Sequence, residues 1–175
     1  MKKFIFLDRD GTIIQDMNYL QDKNDIIFFK NSFKTLRSLL DNDFTLVIIT
    51  NQSGIGRGFF TLDTYHEVNN KFLNILNLNN ISIHKVLICP HTPSDECECR
   101  KPKIKLFTDF NSNNIVDVKN SWMIGDKKSD IDFGKNCNLS TILLKSSDVT
   151  STKNINADFK VKKIDEILKI ILNHD

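Results

Sequence analysis

The sequence predicts an α/β fold: a doubly wound, mostly parallel sheet with helices on both faces. Three observations carry that expectation. Short apolar runs alternate with stretches of helical periodicity. The runs lack the polar alternation of a half-exposed strand, so both of their faces are buried. Charged and polar clusters follow the runs directly, where sheets of this kind bind their ligands.

Lys3–Leu7 is an apolar run ending in Asp-Arg-Asp-Gly, a strand feeding a loop. Phe33, Leu36, Leu39 and Leu40 recur at helical spacing across residues 32–41. Phe44–Thr50 is a second apolar, β-rich run, and Asn51–Gly58 follows as a glycine-rich loop. Tyr65, Val68, Phe72, Ile75 and Leu76 mark a helix over 62–78. Ile83–Ile88 is a third strand, leading into a loop of Cys and His. A helix is expected over 103–111, a fourth strand at Trp122–Gly125 and a short helix over 129–137. Thr141–Leu144 is a fifth strand, and Asp158–Val161 an edge strand. Ile164, Ile167, Leu168 and Ile171 mark a C-terminal helix, and the polar stretch 146–157 reads as a surface loop.

Composition excludes several classes. Apolar residues at 40% and charged residues at 26% match a globular chain with one good core. A net charge of +2 gives no field of the kind that binds nucleic acid. No stretch approaches the ~20 apolar residues of a spanning helix, so no membrane partner is expected. The run Phe4–Leu7 is too short for an export signal and ends at Asp8, which favours metal binding over disulfides for the cysteines. Lysine far outnumbers arginine, so each arginine carries weight.

The chemistry-bearing residues sit at strand ends. Asp8 and Asp10 are two residues apart in Asp-Arg-Asp-Gly-Thr. Such a pair can share a divalent metal, or one can attack while the other moves a proton; a capped turn is the plainer alternative. Asp126 and Asp130 follow the fourth strand, where a helix N-cap is again the plainer reading. Thr50 and Asn51 end the strand between. Both pairs together are hard to ascribe to turns alone.

These residues resemble the haloacid dehalogenase superfamily of phosphohydrolases. The resemblance rests on Asp8-Arg-Asp-Gly-Thr12, Thr50-Asn-Gln-Ser53, Lys101, and Gly125-Asp126-Lys127 with Asp130. It extends over nearly the whole chain and implies a Rossmann-like single domain, 1–175. It also implies an aspartyl-phosphate mechanism: Asp8 as nucleophile, Asp10 as acid and base, Thr50 and Lys101 on the transferring oxygens. Mg²⁺ would be held by Asp8, the Asp10 backbone carbonyl and Asp126. Physical chemistry agrees, because phosphoryl transfer needs charge neutralisation and positioning above all. Mg²⁺ favours few carboxylates, with waters and phosphate completing its shell.

Cys89-Pro-His91, five residues, then Cys97-Glu-Cys99 offers three thiolates and an imidazole. That set closes a tetrahedral Zn²⁺ site with no position left for water, so the expected role is structural. The loop, 89–101, runs straight into Arg100-Lys101-Pro102, so pinning Cys99 would pin Lys101. Cys137 and Trp122 read as core, and His66, His84 and His174 as surface residues.

The loop and the Arg-Lys-Pro that follows it resemble two branches of the superfamily, the heptose 1,7-bisphosphate phosphatases and the histidinol-phosphatase domains. Both are capless, and the spacings Asp10–Thr50 and Thr50–Lys101 leave no room for a cap domain. Ser53-Gly-Ile-Gly-Arg57-Gly and Asp16-Met-Asn-Tyr19 are similar to the heptose branch, while the short His91–Cys97 gap is similar to the histidinol branch. Arg57 and Arg100 favour a second anionic group over a substrate amine. The expected substrate is therefore a small phosphorylated sugar. The expected contacts are Asp16, Asn18, Tyr19, Asn51, Gln52, Ser53, Arg57, Arg100 and Lys127. The heptose reading further implies a monomeric enzyme of a bacterial cytoplasm that serves surface-glycan (lipopolysaccharide) synthesis.

Overall fold

The computed structural model describes residues 1–145 and 155–174. Six strands, β1 (Phe4–Leu7), β2 (Thr45–Asn51), β3 (Lys85–Cys89), β4 (Trp122–Gly125), β5 (Ser140–Leu144) and β6 (Phe159–Val161), form one sheet in the order β3-β2-β1-β4-β5-β6. Every pairing is parallel. The order reverses beside β1, and ligand crevices in open α/β sheets form at that switch point. Register matters here: Leu7 is level with Ile48 of β2 and Ile124 of β4. Asp8, Thr50 and Asp126 therefore emerge at one end of the sheet.

Alternation along the strands builds two cores. Ile5, Leu7, Leu46, Ile48, Ile124 and Ile142 face α1 (Ser32–Asp41), α3 (Leu62–Leu78) and α6 (Glu166–Ile171), meeting Leu36, Leu39, Val68, Phe72 and Ile167. Phe4, Phe6, Val47, Ile49 and Met123 face α4 (Lys105–Asn114) and α5 (Lys128–Asn136), meeting Phe107, Phe110 and Phe133. Phe4 and Phe110 pack edge to face at 5.2 Å, and Phe6 and Phe107 at 5.5 Å. Truncating such a buried aromatic to Ala typically costs about 3–5 kcal/mol. Trp122 and Cys137 are buried, whereas His66, His84 and His174 are exposed, as expected.

The structure corrects the expected elements in four places. The loop after β2 contains a short helix, α2 (Ser53–Gly56), closed by Arg57 N–H donating to the Ser53 carbonyl at 3.0 Å. Gly54 permits it, since a Cβ there would lie 2.2 Å from Phe60. α4 starts and ends later than expected. A turn from the Lys103 N–H to the Arg100 carbonyl occupies its expected start, and the Asn113 and Asn114 side chains at its end donate to the Asp109 and Phe110 carbonyls. β3 begins at Lys85 rather than Ile83. Of the expected surface loop 146–157, residues 146–154 lie outside the described residues, but Ile155 is buried against Ile131 and Leu143. Among the described residues no helix is long and apolar enough to cross a membrane.

Candidate active site

The site is assembled at the carboxyl ends of β1, β2 and β4. The Asp8 N–H donates to the Ile124 carbonyl at 2.9 Å, holding the first residue after β1 against β4. Lys101 reaches in from the loop after β3. Its Nζ lies 2.7 Å from Asp8 Oδ1 and 2.7 Å from Asp130 Oδ1, and donates to the Ile49 carbonyl at 2.7 Å. All three protons of the ammonium thus have partners. Asn51 grips the Lys101 backbone from both sides, donating to its carbonyl at 3.2 Å and accepting from its N–H at 3.1 Å.

The sequence marks Asp130 as a partner of Asp126 and a motif residue, with a helix cap as the plainer reading, and the structure shows a cap and an ion pair together. It does cap α5, accepting from the Lys127 N–H at 2.9 Å, but its other oxygen pairs with Lys101. Gly125 makes that approach possible, because a Cβ there would lie 2.4 Å from the Asp130 Cβ. Sequence reasoning also missed Arg9, which is fully buried and paired to Asp10. An arginine between two acidic residues was the available signal.

Electrostatics set the character of the cluster. Burial pushes the Asp8 carboxyl up to about 7, with Lys101 opposing and Asp130 and Asp10 adding to the rise. Burial and the Asp8 charge push Asp126 up to about 7 as well. Burial opposes the Lys101 charge, yet Asp130 and Asp8 outweigh it and raise its pKa. Three carboxylates are therefore gathered around one buried ammonium that pairs with Asp8 and Asp130.

That imbalance suits a divalent cation. Oxygens of Asp8, Asp126 and Asp130 all lie within 4.8 Å of one another. Asp126 Oδ1 is buried without a hydrogen-bond partner among the described residues. Gly11, at φ +86°, passes so close that a Cβ would sit 2.3 Å from Asp126 Oδ2. With Asp130 engaged by Lys101 and the α5 backbone, Asp8 and Asp126 are the carboxylates left to a small hard cation.

A cleft opens above this cluster. Asp16, Asn18, Tyr19, Asn51, Gln52, Ser53, Arg100 and Lys127 line it together with Asp8, Asp10, Thr50 and Lys101. Gln52 Nε2 donates to Asp10 Oδ2 and Thr50 Oγ1, both at 2.8 Å. Lys127 Nζ lies 2.8 Å from Asp16 Oδ2. Burial works against the Asp16 charge, but the bond and charge of Lys127, the Asn18 N–H and the Arg9 charge together outweigh it and hold the carboxyl below its ordinary value. Asn18 and Tyr19 adopt positive φ, at 50° and 74°, which turns the segment over the cleft. Of the expected substrate contacts, Arg57 alone is not in this lining. It is exposed beyond α2, near enough to the exposed Asp95 to help hold that carboxyl below its ordinary value, after the hydrogen bonds from Thr92.

Cys89, His91, Cys97 and Cys99 converge beside the cleft. His91 Nδ1 and Cys89 Sγ lie 3.2 Å from Cys99 Sγ, and Cys89 and Cys97 sulfurs are 3.6 Å apart. All the cysteines are free thiols, and burial pushes the Cys89 thiol up. Zn–S bonds of about 2.3 Å set tetrahedral edges of about 3.8 Å, near the observed spacings. The set could hold zinc, and Arg100 Nη1 donates to the His91 carbonyl at 3.1 Å, tying the cleft to the loop.

Comparison with known proteins agrees with this geometry. The chain matches the polynucleotide kinase 3 phosphatase family over residues 3–168. It is 37% identical over 144 residues to a probable D-glycero-D-manno-heptose-1,7-bisphosphate 7-phosphatase of Thermoplasma volcanium, covering 82% of this chain and 99% of that one. It is 35% identical over 143 residues to the histidine biosynthesis bifunctional protein of Blochmanniella floridana, covering 80% of this chain but only 40% of that protein. A crystal structure of the D,D-heptose 1,7-bisphosphate phosphatase of B. bronchiseptica, complexed with magnesium and phosphate, superposes with a TM-score of 0.89 at 25% identity, covering 99% of both chains. With its sheet order, carboxylate cluster and buried lysine, the chain belongs to the polynucleotide kinase 3 phosphatase family, among the phosphatases of the haloacid dehalogenase superfamily.

Proposed function

We propose that the chain is a Mg²⁺-dependent phosphatase that works through an aspartyl phosphate on Asp8 and removes the 7-phosphate of D-glycero-D-manno-heptose 1,7-bisphosphate. The observation that carries the reading is the buried pairing of Lys101 with Asp8 beside Asp126, whose Oδ1 has no partner among the described residues. An anionic nucleophile must meet a phosphate dianion, and the site gathers the positive charge for that encounter. A magnesium ion held by Asp8, Asp126 and the Asp10 backbone carbonyl would supply the remaining charge neutralisation.

An Asp8 oxygen attacks phosphorus and the bond to the leaving oxygen breaks. Asp10 gives that oxygen its proton. Water then attacks the phosphoryl group, Asp10 takes a proton from it, and the bond to Asp8 breaks to release phosphate. Lys101 and Thr50 face the transferring oxygens throughout, and Thr50 is kept in place by Gln52. The Cys₃His set holds zinc structurally, fixing the loop that delivers Arg100 and Lys101.

Two relatives bearing the heptose name, from Thermoplasma volcanium and Helicobacter pylori, are 37% and 36% identical, which supports that substrate. Arg100 and Lys127 offer charge to a second anionic group, and Asn18 and Tyr19 offer partners for sugar hydroxyls. Arg57 would meet only a substrate group that projects beyond the cleft. The reading takes the enzyme as a capless single domain and a monomer of the cytoplasm, feeding activated heptose toward surface glycans. Phosphate release from heptose 1,7-bisphosphate, measured against histidinol phosphate, tests it. Preference for histidinol phosphate would overturn the substrate assignment and keep the chemistry.

A further inference from the structure

We propose that Arg9 is a positioning residue for proton transfer, fixing the place and plane of the Asp10 carboxylate. The inference rests on the reading above, in which Asp10 gives and takes the proton. Neighbouring residues of an extended chain point apart, but here the chain turns directly after β1. The Ile13 N–H returns to the Arg9 carbonyl at 3.0 Å, and Gly11 has a positive φ. That turn lets the Arg9 guanidinium fold back onto its neighbour. Nε donates to Asp10 Oδ2 at 3.1 Å and Nη2 to Asp10 Oδ1 at 3.3 Å.

The rest of the arginine is enclosed, with Nη1 lacking a hydrogen-bond partner among the described residues. The residue is 1% exposed, and its guanidinium lies 5.4 Å from the centre of the Tyr65 ring on α3. Gln52 adds a further donor to Asp10 Oδ2 at 2.8 Å. Buried ion pairs contribute little net stability, because desolvation offsets the attraction. What a forked pair adds is geometry: two parallel bonds fix the carboxylate plane, which a lysine cannot do. Proton transfer to a leaving oxygen depends steeply on such placement. Arg9 touches no reacting atom, and it acts through Asp10.

The test uses two esters and a double-mutant cycle. Heptose 1,7-bisphosphate loses its sugar as an alkoxide that needs a proton, whereas p-nitrophenyl phosphate loses a stabilised p-nitrophenolate that hardly does. The quantity read is kcat/KM, which reports the steps up to departure of the leaving group. Arg9→Met should lower it by about 10–10²-fold for the sugar phosphate and by less than about 3-fold for the aryl ester. Arg9→Lys, which keeps the charge and loses the fork, should show the same selective loss. In an Asp10→Asn background Arg9→Met should have no further effect on the aryl ester, because the two residues act as a unit. Equal losses on both esters, or a loss that persists in the Asp10→Asn background, would show a merely structural arginine and overturn the inference. Should Arg9→Met fail to fold, Arg9→Lys and Tyr65→Leu carry the same comparison. A wild type inactive on both esters would bring down the phosphatase reading itself, whereas an active wild type with indifferent Arg9 variants would overturn only the role of Arg9.

Discussion

The Nζ of Lys101 lies 2.7 Å from Oδ1 of Asp8, with both side chains buried and the two residues 93 positions apart in the chain. The pair joins the loop after β3 to the end of β1, and Asn51 holds the Lys101 backbone. Removing Lys101 takes the buried cation away from both Asp8 and Asp130.

Lys101→Met is therefore expected to cost both activity and stability. Breaking a buried pair from one side typically costs about 3–5 kcal/mol. Loss of a donor aimed at a developing charge costs about 10²–10³ in turnover. Phosphate release and thermal melting of the same sample check both effects. Lys101→Arg should not restore turnover, because the ammonium fits between Asp8, Asp130 and the Ile49 carbonyl as a compact point charge.

The buried carboxylates make stability depend on pH. Asp8 and Asp126 are each pushed up to about 7 from an ordinary value of 3.8. Between those values the folded chain holds protons that the unfolded chain has released, so these groups lower stability as pH rises from about 4 to about 7. In metal-free protein, Asp126→Asn should remove part of that decline and melt a few degrees higher than wild type at pH 7.5. Added Mg²⁺ should raise the wild-type melting temperature and leave the variant nearly unmoved. A variant that melts below wild type in metal-free buffer at pH 7.5 would count against a strained carboxylate pair.

Metal in the Cys₃His loop should be separable from metal in the cleft. Protein purified without chelators is expected to carry one Zn²⁺ per chain by elemental analysis. Cys97→Ser should lose it and melt lower, because part of the binding energy is folding energy. Turnover should fall as Arg100 and Lys101 lose their anchor, and added Mg²⁺ should not rescue it. Wild-type melting in a zinc-free Cys97→Ser sample would contradict a structural site.

Substrate choice should follow the cleft lining. A site built to pair with hydroxyls can reject an analogue without them by up to ~10⁴-fold, so kcat/KM for heptose 1,7-bisphosphate should exceed that for histidinol phosphate by at least ~10²-fold. Arg100→Ala should shrink the ratio, since Arg100 lines the cleft. A ratio that stays the same would move recognition of the second phosphate elsewhere.

Much of this architecture was legible before any coordinates. Unbroken apolar runs such as Phe44–Thr50 announce a doubly buried strand, and Asp8, Thr50 and Asp126 fall at strand ends because parallel strands share a direction. What stayed hidden depends on side chains meeting across the sheet or across a turn. Asp130 carries the signature of a helix cap, and its bond to Lys101 arises only when β4 is laid beside β1. The role of Arg9 is not visible in the sequence, because the turn that folds it onto Asp10 has no distinctive residue beyond Gly11. The helix α2 was hidden by its glycines, which are poor helix formers in isolation and are held here by bonds such as Gly56 N–H to the Pro90 carbonyl at 2.9 Å.

The covalent role of Asp8 is the centre of the account, and mass spectrometry of rapidly quenched enzyme tests it most directly. Wild-type protein mixed with heptose 1,7-bisphosphate and Mg²⁺, then quenched in acid and digested, should yield the peptide bearing Asp8 with the added mass of one phosphoryl group. Asp8→Asn, folded as judged by melting, should yield no such peptide and no turnover, since an amide does not attack phosphorus. A phosphoryl group found on another residue, or turnover by Asp8→Asn above a trace of wild type, would contradict it.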